Sequence, residues 1–442
     1  MKSSAQPAVF IETYGCSFNV ADGEAMAGVL AQAGYQVVGS SARADVIVLN
    51  TCTVKDRTYW EFEKRLRELK AQAARGAGPQ LVVAGCIAKA YERTDLLDGV
   101  ATLAPDTVAQ VARVVGEALA GRALKAMRPG AGQDPAAGRA LLPVRRRQPN
   151  VEILPIASGC LSACSFCQTR LARGRLRSFR PEDLVGRARR ALAEGVKEIW
   201  ITAQDTGAYG RDLGTSLPKL LRRICTLEGD FRVRLGMSSP IWIREDLEET
   251  LDVLGHPKMF RFLHVPVQSG SDRVLRAMRR EGTAAQWIEI AEAFSRRYPE
   301  GALLTDIIVG FPGEEEEDFA ATLAMLERAR PAAVNRSKFS ARPGTAAARL
   351  KPLASQTLSE RSLRAAEVIR RLARAWNERR LGGRGRVLTS ENKPNATTLA
   401  HNEAYRPVIL PGPLPPGVWV DVEYTEMSDF NLYGEIVAPS RR

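Results

Sequence analysis

At 442 residues, 45% of them hydrophobic and 26% charged, the chain has the composition of a soluble globular protein with room for two or three domains. No apolar run approaches the roughly 18 residues needed to cross a bilayer, and seven cysteines, an odd number, argue against a disulfide framework. Sixty-three Lys and Arg against 50 Asp and Glu give a net charge of +13, a balance that favours a polyanionic partner.

In chain order, Met1-Lys2-Ser3-Ser4-Ala5-Gln6-Pro7 leads into an alternating strand instead of a signal-peptide core, so the expected location is the cytoplasm, with no membrane partner. Val9 to Thr13 is that strand. Asp22 opens a helix whose Met26, Val29, Leu30 and Ala33 fall at i, i+3, i+4 and i+7 before Gly34 ends it. Val46 to Leu49 is a buried strand, Thr58 to Ala74 a charged helix and Gln80 to Ala84 a third strand. Asp106 caps a helix that packs Val108, Val111, Ala112 and Val115. Residues 1–123 therefore read as an α/β domain built on a doubly wound parallel sheet.

Residues 124–150, rich in Gly, Pro, Ala and Arg without periodicity, mark a linker. From 151 to 380 strands and helices alternate again, with strands at Val151–Ile156, Glu198–Thr202, Arg232–Leu235, Arg261–Val267, Leu303–Val309 and Ser337–Phe339. Six such units are too few for a closed eight-stranded barrel and suit an open (βα)6 partial TIM barrel with a side gap. A long basic helix, about Leu353 to Arg380, trails it. Residues 381–442 then read as five short strands, Val387–Thr389, Thr397–Ala400, Val408–Leu410, Val418–Tyr424 and Leu432–Val437, which predict a small OB-like β barrel. Basic residues concentrate at Arg145 to Arg147, at Arg170, Arg173, Arg175, Arg177 and Arg180, and from Arg370 to Arg386, which makes nucleic acid the expected polyanion.

Six cysteines form two groups of three. Cys16, Cys52 and Cys86 each follow a strand directly, and in a doubly wound sheet the carboxyl ends of the strands open onto one crevice, so three distant thiols converge. Cys160, Cys164 and Cys167 stand at i, i+4 and i+7, a spacing that wraps three corners of a 4Fe-4S cube and leaves one iron to chelate S-adenosylmethionine (SAM). Structural zinc would want a fourth ligand, and none of the three histidines, His256, His264 and His401, lies near the triplet in sequence. Cys225, on an apparent helix with apolar neighbours, reads as a buried structural thiol. Candidate SAM contacts are Phe166 within the triplet and residues at strand ends: Gln204 and Asp205, Gln268 and Ser269, Asp306 and Gly310.

The order Tyr14-Gly15-Cys16-Ser17-Phe18-Asn19, Asn50-Thr51-Cys52-Thr53-Val54, Ala84-Gly85-Cys86, Ser158-Gly159-Cys160 through Cys167 and a terminal β barrel resembles the radical-SAM methylthiotransferases over essentially the whole chain. Glu198 through Asp212, Arg234-Leu235-Gly236-Met237 and Ala400-His401-Asn402 are similar to the archaeal and eukaryotic tRNA branch, whose substrate is N6-threonylcarbamoyladenosine beside the anticodon, at tRNA position 37. The resemblance implies that Cys160, Cys164 and Cys167 hold a SAM-cleaving 4Fe-4S cluster and Cys16, Cys52 and Cys86 an auxiliary one. It implies that one SAM methylates the sulfur, a second supplies a radical that removes hydrogen from C2 of the adenine, and a methylthio group replaces it.

The implied partners are tRNA, a sulfur donor and a low-potential electron donor. The terminal barrel resembles a TRAM domain, with Arg384, Arg386, His401 and Arg406 as candidate tRNA contacts, and Phe18, Tyr59, Trp60 and Trp242 are candidate stacking platforms for a base drawn out of its stack. The polar end at Arg442 does not carry over the hydrophobic tail of eukaryotic relatives. Alternatives are the same chemistry on isopentenyladenosine or on a ribosomal-protein aspartate, and a non-catalytic iron-sulfur RNA-binding protein.

Overall fold

A computed structural model of the chain describes residues 6–53, 56–75, 78–91, 95–129, 136 and 138–437. The first sheet holds six parallel strands, β1 (Ala8–Thr13), β2 (Gln36–Val38), β3 (Val46–Thr51), β4 (Gln80–Gly85), β5 (Ala101–Leu103) and β6 (Lys125–Ala126), in the order β2-β1-β3-β4-β5-β6. Every residue of β3 is buried, because helices cover both faces of the sheet. The order reverses between β1 and β3, so a crevice opens at their carboxyl ends. Cys16 and Cys52 stand at that switch point.

The central region carries β7 (Val151–Pro155), the short antiparallel ribbon β8 (Ala157–Ser158) and β9 (Arg177–Ser178), then β10 (Glu198–Thr202), β11 (Arg232–Leu235), β12 (Phe262–His264), β13 (Ala302–Val309) and β14 (Ala333–Lys338). The strands β7-β10-β11 and β12-β13-β14 form two parallel triplets. A bridge between Val233 and Met259 and the bond from Ser238 N to His264 O (3.0 Å) join them into one open half-barrel of six strands. The side chains of Leu154, Ile199, Ile201, Leu235, Leu263, Ile307 and Val309 meet those of Trp287, Phe294 and Phe319 from the surrounding helices in its core. Cys225 lies in this core, and burial pushes its thiol up to about 11.

The helix Ser355–Glu378 runs back to a closed five-stranded barrel of β15 (Arg384–Asn392), β16 (Thr397–Asn402), β17 (Pro407–Pro411), β18 (Trp419–Met427) and β19 (Leu432–Ile436), ordered β15-β16-β17-β19-β18. Its core is continuous with the half-barrel: Phe260, Phe262 and Ala302 pack with Val387, Leu388, Val408 and Trp376. Trp376 Nε1 donates to Gly301 O at 3.3 Å while the Arg380 guanidinium sits 3.2 Å from the ring centroid. One buried side chain thus pins the trailing helix to the region before it and the barrel after it.

Three local expectations change. The first helix spans Ser17–Gln32, so Asp22 lies inside it rather than at its start. One face of that helix packs on the sheet and another on the central region, so Asn19, Asp22 and Glu24 are buried and the apolar stripe seen in sequence marks only its second half. Asp106 lies within a 3-10 turn, Pro105–Gln110, that precedes the helix Val111–Leu119 and does not cap it. Residues 125–126 belong to the sheet, and much of the expected linker is an ordered strap: Arg145 N donates to Glu24 O (3.0 Å) and Arg147 N to Glu24 Oε1 (2.9 Å). Linker residues 130–135 and 137 lie outside the described residues.

Trp376→Ala should lower the free energy of unfolding by about 3–5 kcal/mol, the usual cost of truncating a buried tryptophan; denaturant titration followed by circular dichroism measures it.

Candidate active site

The site is assembled where two sets of strand ends face each other. Gly15, at φ +96°, and Gly85, at φ +86°, turn the chain out of β1 and β4, placing Cys16 before its helix and Cys86 as the first residue of the short helix Cys86–Ala90. Buried amides fix these turns: Asn19 Nδ2 donates to Tyr14 O (2.7 Å) and Asn50 O (3.2 Å), and Asn50 Nδ2 donates to Asn19 O (2.7 Å). Thr51 Oγ1 accepts from Ile87 N (3.2 Å), tying the β3 end to the Cys86 helix. Cys52 is the neighbour that most lowers the Cys16 thiol pKa.

The second triad lies on the loop between β8 and β9. Gln204 Oε1, beyond the end of β10, accepts from Gly159 N at 2.7 Å. Arg170 Nη1 donates to the carbonyls of Cys160, Leu161 and Ser162 at 2.8, 3.1 and 2.6 Å, gathering the loop around one guanidinium. Arg280 Nη1 stands 3.7 Å from Cys164 Sγ.

Both triads face a cavity of about 570 Å³ whose wall includes Cys16, Cys52, Cys86, Cys160 and Cys167. Cys164 borders the same loop but is outside that lining. Arg170, Arg173, Arg234, Lys338 and Arg342 line the cavity, against Asp306 as the lining carboxylate, so its field suits anionic groups. Asp306 Oδ1 accepts from Asn335 Nδ2 (2.7 Å) and is 2.8 Å from His264 Nε2.

The thiols are tuned unequally. Cys52 holds the thiol of Cys16, an exposed residue, below its ordinary pKa, with help from Arg173. Burial raises Cys86, Cys160 and Cys164, opposed by Arg173 at Cys86 and by Arg280 at Cys164. Among the described residues no three His, Cys, Asp or Glu side chains converge on a single ion. A cube spreads its thiolates over different irons and so asks for wider spacing, and two sets of three soft donors, five of the six in the wall of one cavity, fit such clusters.

The other sequence candidates divide. Phe166, Gln204, Gln268 and Asp306 line the cavity. Gln268 does so in a left-handed conformation (φ 81°), held by bonds from its N to Asp306 O and from Ile308 N to its O, both 2.9 Å; such strain is common at functional sites. Asp205, Ser269 and Gly310 do not line it. Asp205 is buried and accepts from Ser239 N (2.9 Å), Ser269 Oγ is paired with Thr322 Oγ1 (3.3 Å), and Gly310 N donates to Glu314 Oε1 (3.1 Å).

On the terminal barrel, Arg384 is exposed and paired with Glu423, and Arg386 is exposed over the Trp419 ring. His401 and Arg406 are buried, which corrects their reading as surface contacts: His401 stacks on Tyr405 at 4.3 Å and Arg406 donates to Phe430 O at 3.2 Å. Part of the basic run from Arg370 is likewise neutralised, Arg371 by Glu327 and Arg374 by Glu378. Among the candidate platforms Phe18 is buried but lines the cavity, Tyr59 and Trp242 are half-buried and Trp60 is exposed. Sequence reading missed Arg173, His264, Arg234 and Lys338 as lining residues. For Arg173 the signal available was its place six residues beyond the last cysteine of the loop.

Comparison with known proteins follows the same division. Residues 154–326 match the radical SAM superfamily and residues 8–102 the uncharacterized protein family UPF0004. A solved structure of a radical S-adenosylmethionine methyltransferase, TsrM from Kitasatospora setae, superposes with a TM-score of 0.56 at 15% identity over 75% of this chain and 73% of that one, a likeness of fold alone. The threonylcarbamoyladenosine tRNA methylthiotransferase of Danio rerio is 39% identical over 96% of this chain and 78% of its own, and that of Homo sapiens 37% over 98% and 74%. A Pyrococcus horikoshii protein named for the same activity is 39% identical over 91% of this chain and 93% of its own. With identity at this level running through both cysteine regions and the terminal barrel, the chain belongs to the threonylcarbamoyladenosine tRNA methylthiotransferase family.

Proposed function

We propose that the protein converts N6-threonylcarbamoyladenosine at position 37 of tRNA to its 2-methylthio derivative, with SAM as methyl donor and as radical source. The observation that carries this reading is the single cavity walled by cysteines of both triads. Residues 1–123 supply Cys16, Cys52 and Cys86 as ligands of an auxiliary 4Fe-4S cluster, residues 151–380 supply Cys160, Cys164 and Cys167 as ligands of the SAM-binding cluster, and residues 381–442 contact tRNA. When bound, these groups supply reductive cleavage of SAM and the sulfur that is transferred. A sulfur donor and a low-potential electron donor complete the set of partners. No helix among the described residues is long and apolar enough to cross a membrane.

The chain's own residues prepare the site. Arg170 and Gln204 hold the compact cysteine loop in shape through its carbonyls and the Gly159 amide. Asp306, oriented by His264 and Asn335, offers an acceptor for the amine or ribose hydroxyls of SAM, and Gln268 and Phe166 complete that wall. Phe18, Met237, Ile307 and Phe339 give the cavity apolar surface that displaces water around a radical. The target adenine must leave its stack to enter, at a cost of a few kcal/mol, and exposed Arg384 and Arg386 are placed to offset that cost through phosphate contacts.

Two glycines separate the clusters experimentally. A methyl group at Gly15 would overlap Cys52 Cβ, and one at Gly159 would overlap the Arg175 carbonyl, each at a positive φ that disfavours alanine. The unmutated protein, reconstituted anaerobically, should hold about eight irons, two cubes. Gly15→Ala and Gly159→Ala should each hold about four, and the Gly159→Ala form should also fail to cleave SAM. Iron analysis and quantitation of 5′-deoxyadenosine check this.

For substrate, tRNA incubated with the protein, SAM, reductant and sulfide should yield the methylthio derivative of threonylcarbamoyladenosine by nucleoside mass spectrometry. Modification of isopentenyladenosine tRNA in its place would overturn the assignment.

A further inference from the structure

Arg173 ends the short helix Thr169–Arg173 and projects from the central region toward the other cysteine triad. Its side chain is 1% exposed, its Nη2 donates to Asp22 Oδ2 at 2.7 Å, and its guanidinium carbon stands 4.2 Å from the Phe18 ring centroid. The other oxygen of Asp22 is taken by Arg139. One carboxylate is shared by two buried guanidiniums, Arg173 Nη1 has no partner in hydrogen-bonding geometry, and beyond Asp22 the acidic groups Arg173 faces are the Cys86 and Cys16 thiols. A buried charge left this way is costly unless an anion completes it.

The anion's place is defined by what surrounds it. Arg173 lines the cavity together with Cys16, Cys52 and Cys86, and its field reaches the Cys86 and Cys16 thiols. Two neighbouring cations are committed elsewhere: Arg170 to three carbonyls, Arg280 to Pro266 O (2.7 Å) and Cys164. Given the auxiliary cluster proposed above, on which this inference rests, we infer that Arg173 is a positioning residue that binds the anionic sulfur atom, sulfide or methylthiolate, brought to the Cys16–Cys52–Cys86 site, with Asp22 setting its orientation. A guanidinium suits this role because it stays charged when buried and its fork serves Asp22 and the ligand at once.

The test is sulfide binding, not turnover. Inorganic sulfide is titrated into the reduced full-length protein with both sites loaded, and the electron paramagnetic resonance signal that disappears on Gly15→Ala substitution is followed. Arg173→Met should bind sulfide about tenfold more weakly or worse, the loss expected for one charge-assisted hydrogen bond, and Arg173→Lys, which keeps the charge but not the fork, should fall between Arg173→Met and native. Native affinity in an iron-loaded Arg173→Met protein, or an equal loss in both variants, would overturn the inference. Should Arg173→Met not retain its iron, Asp22→Asn provides the reading: weaker sulfide binding with unchanged iron supports the role, and native affinity refutes it. Absence of iron from Cys16, Cys52 and Cys86 in the unmutated protein would instead refute the auxiliary-cluster reading itself.

Discussion

The buried carboxylate of Asp22 is the point on which the site turns. It lies in the helix that leaves the first cysteine, and it binds Arg173 from the loop that follows the second triad and Arg139 from the strap between the two regions. Removing any one of these three side chains from the docked structure would leave a charge unpaired away from water, at several kcal/mol. Such ion pairs contribute little net stability compared with apolar packing, but they admit few alternative arrangements. Here the arrangement they select aims β1, β3 and β4 at the mouth of the half-barrel, and two cysteine triads come to share one cavity.

That docking also explains how the chain combines a rigid scaffold with reactive ends. The β3 strand and the core around Trp287 and Phe294 are fully buried, whereas the cysteines stand on turns just beyond strands, shaped by Gly15, Gly85 and Gly159 at positive φ. The terminal barrel is fastened to the far side through Trp376 and Tyr405. It is therefore held at a fixed place relative to the half-barrel.

The architecture was legible in the sequence because its signals are local. Alternating βα patterns gave the sheet and the half-barrel, and the position of Cys16, Cys52 and Cys86 after strands implied their convergence. Arginine roles were not legible. Within a basic run Arg173 and Arg177 look alike, yet one is buried on Asp22 and the other is partly exposed toward Asp106. Asp22 read as a helix cap because a buried aspartate on a surface shared by two regions has no periodic signature. The same limit governs His401 and Arg406, whose burial depends on partners such as Tyr405 and Phe430. At strand ends the zone was evident but the side-chain direction was not: Gln204 and Gln268 face the cavity, while Asp205 and Ser269, one residue on, turn into the protein.

Sulfur and radical must meet on one adenine, so the chemistry requires the two cysteine sites to lie close together. Pulsed electron paramagnetic resonance of the fully loaded, doubly reduced protein measures that proximity directly. Magnetic coupling between the clusters is expected, seen as broadening and faster relaxation that vanish when either triad is emptied. A spectrum equal to the sum of two independent clusters would contradict it.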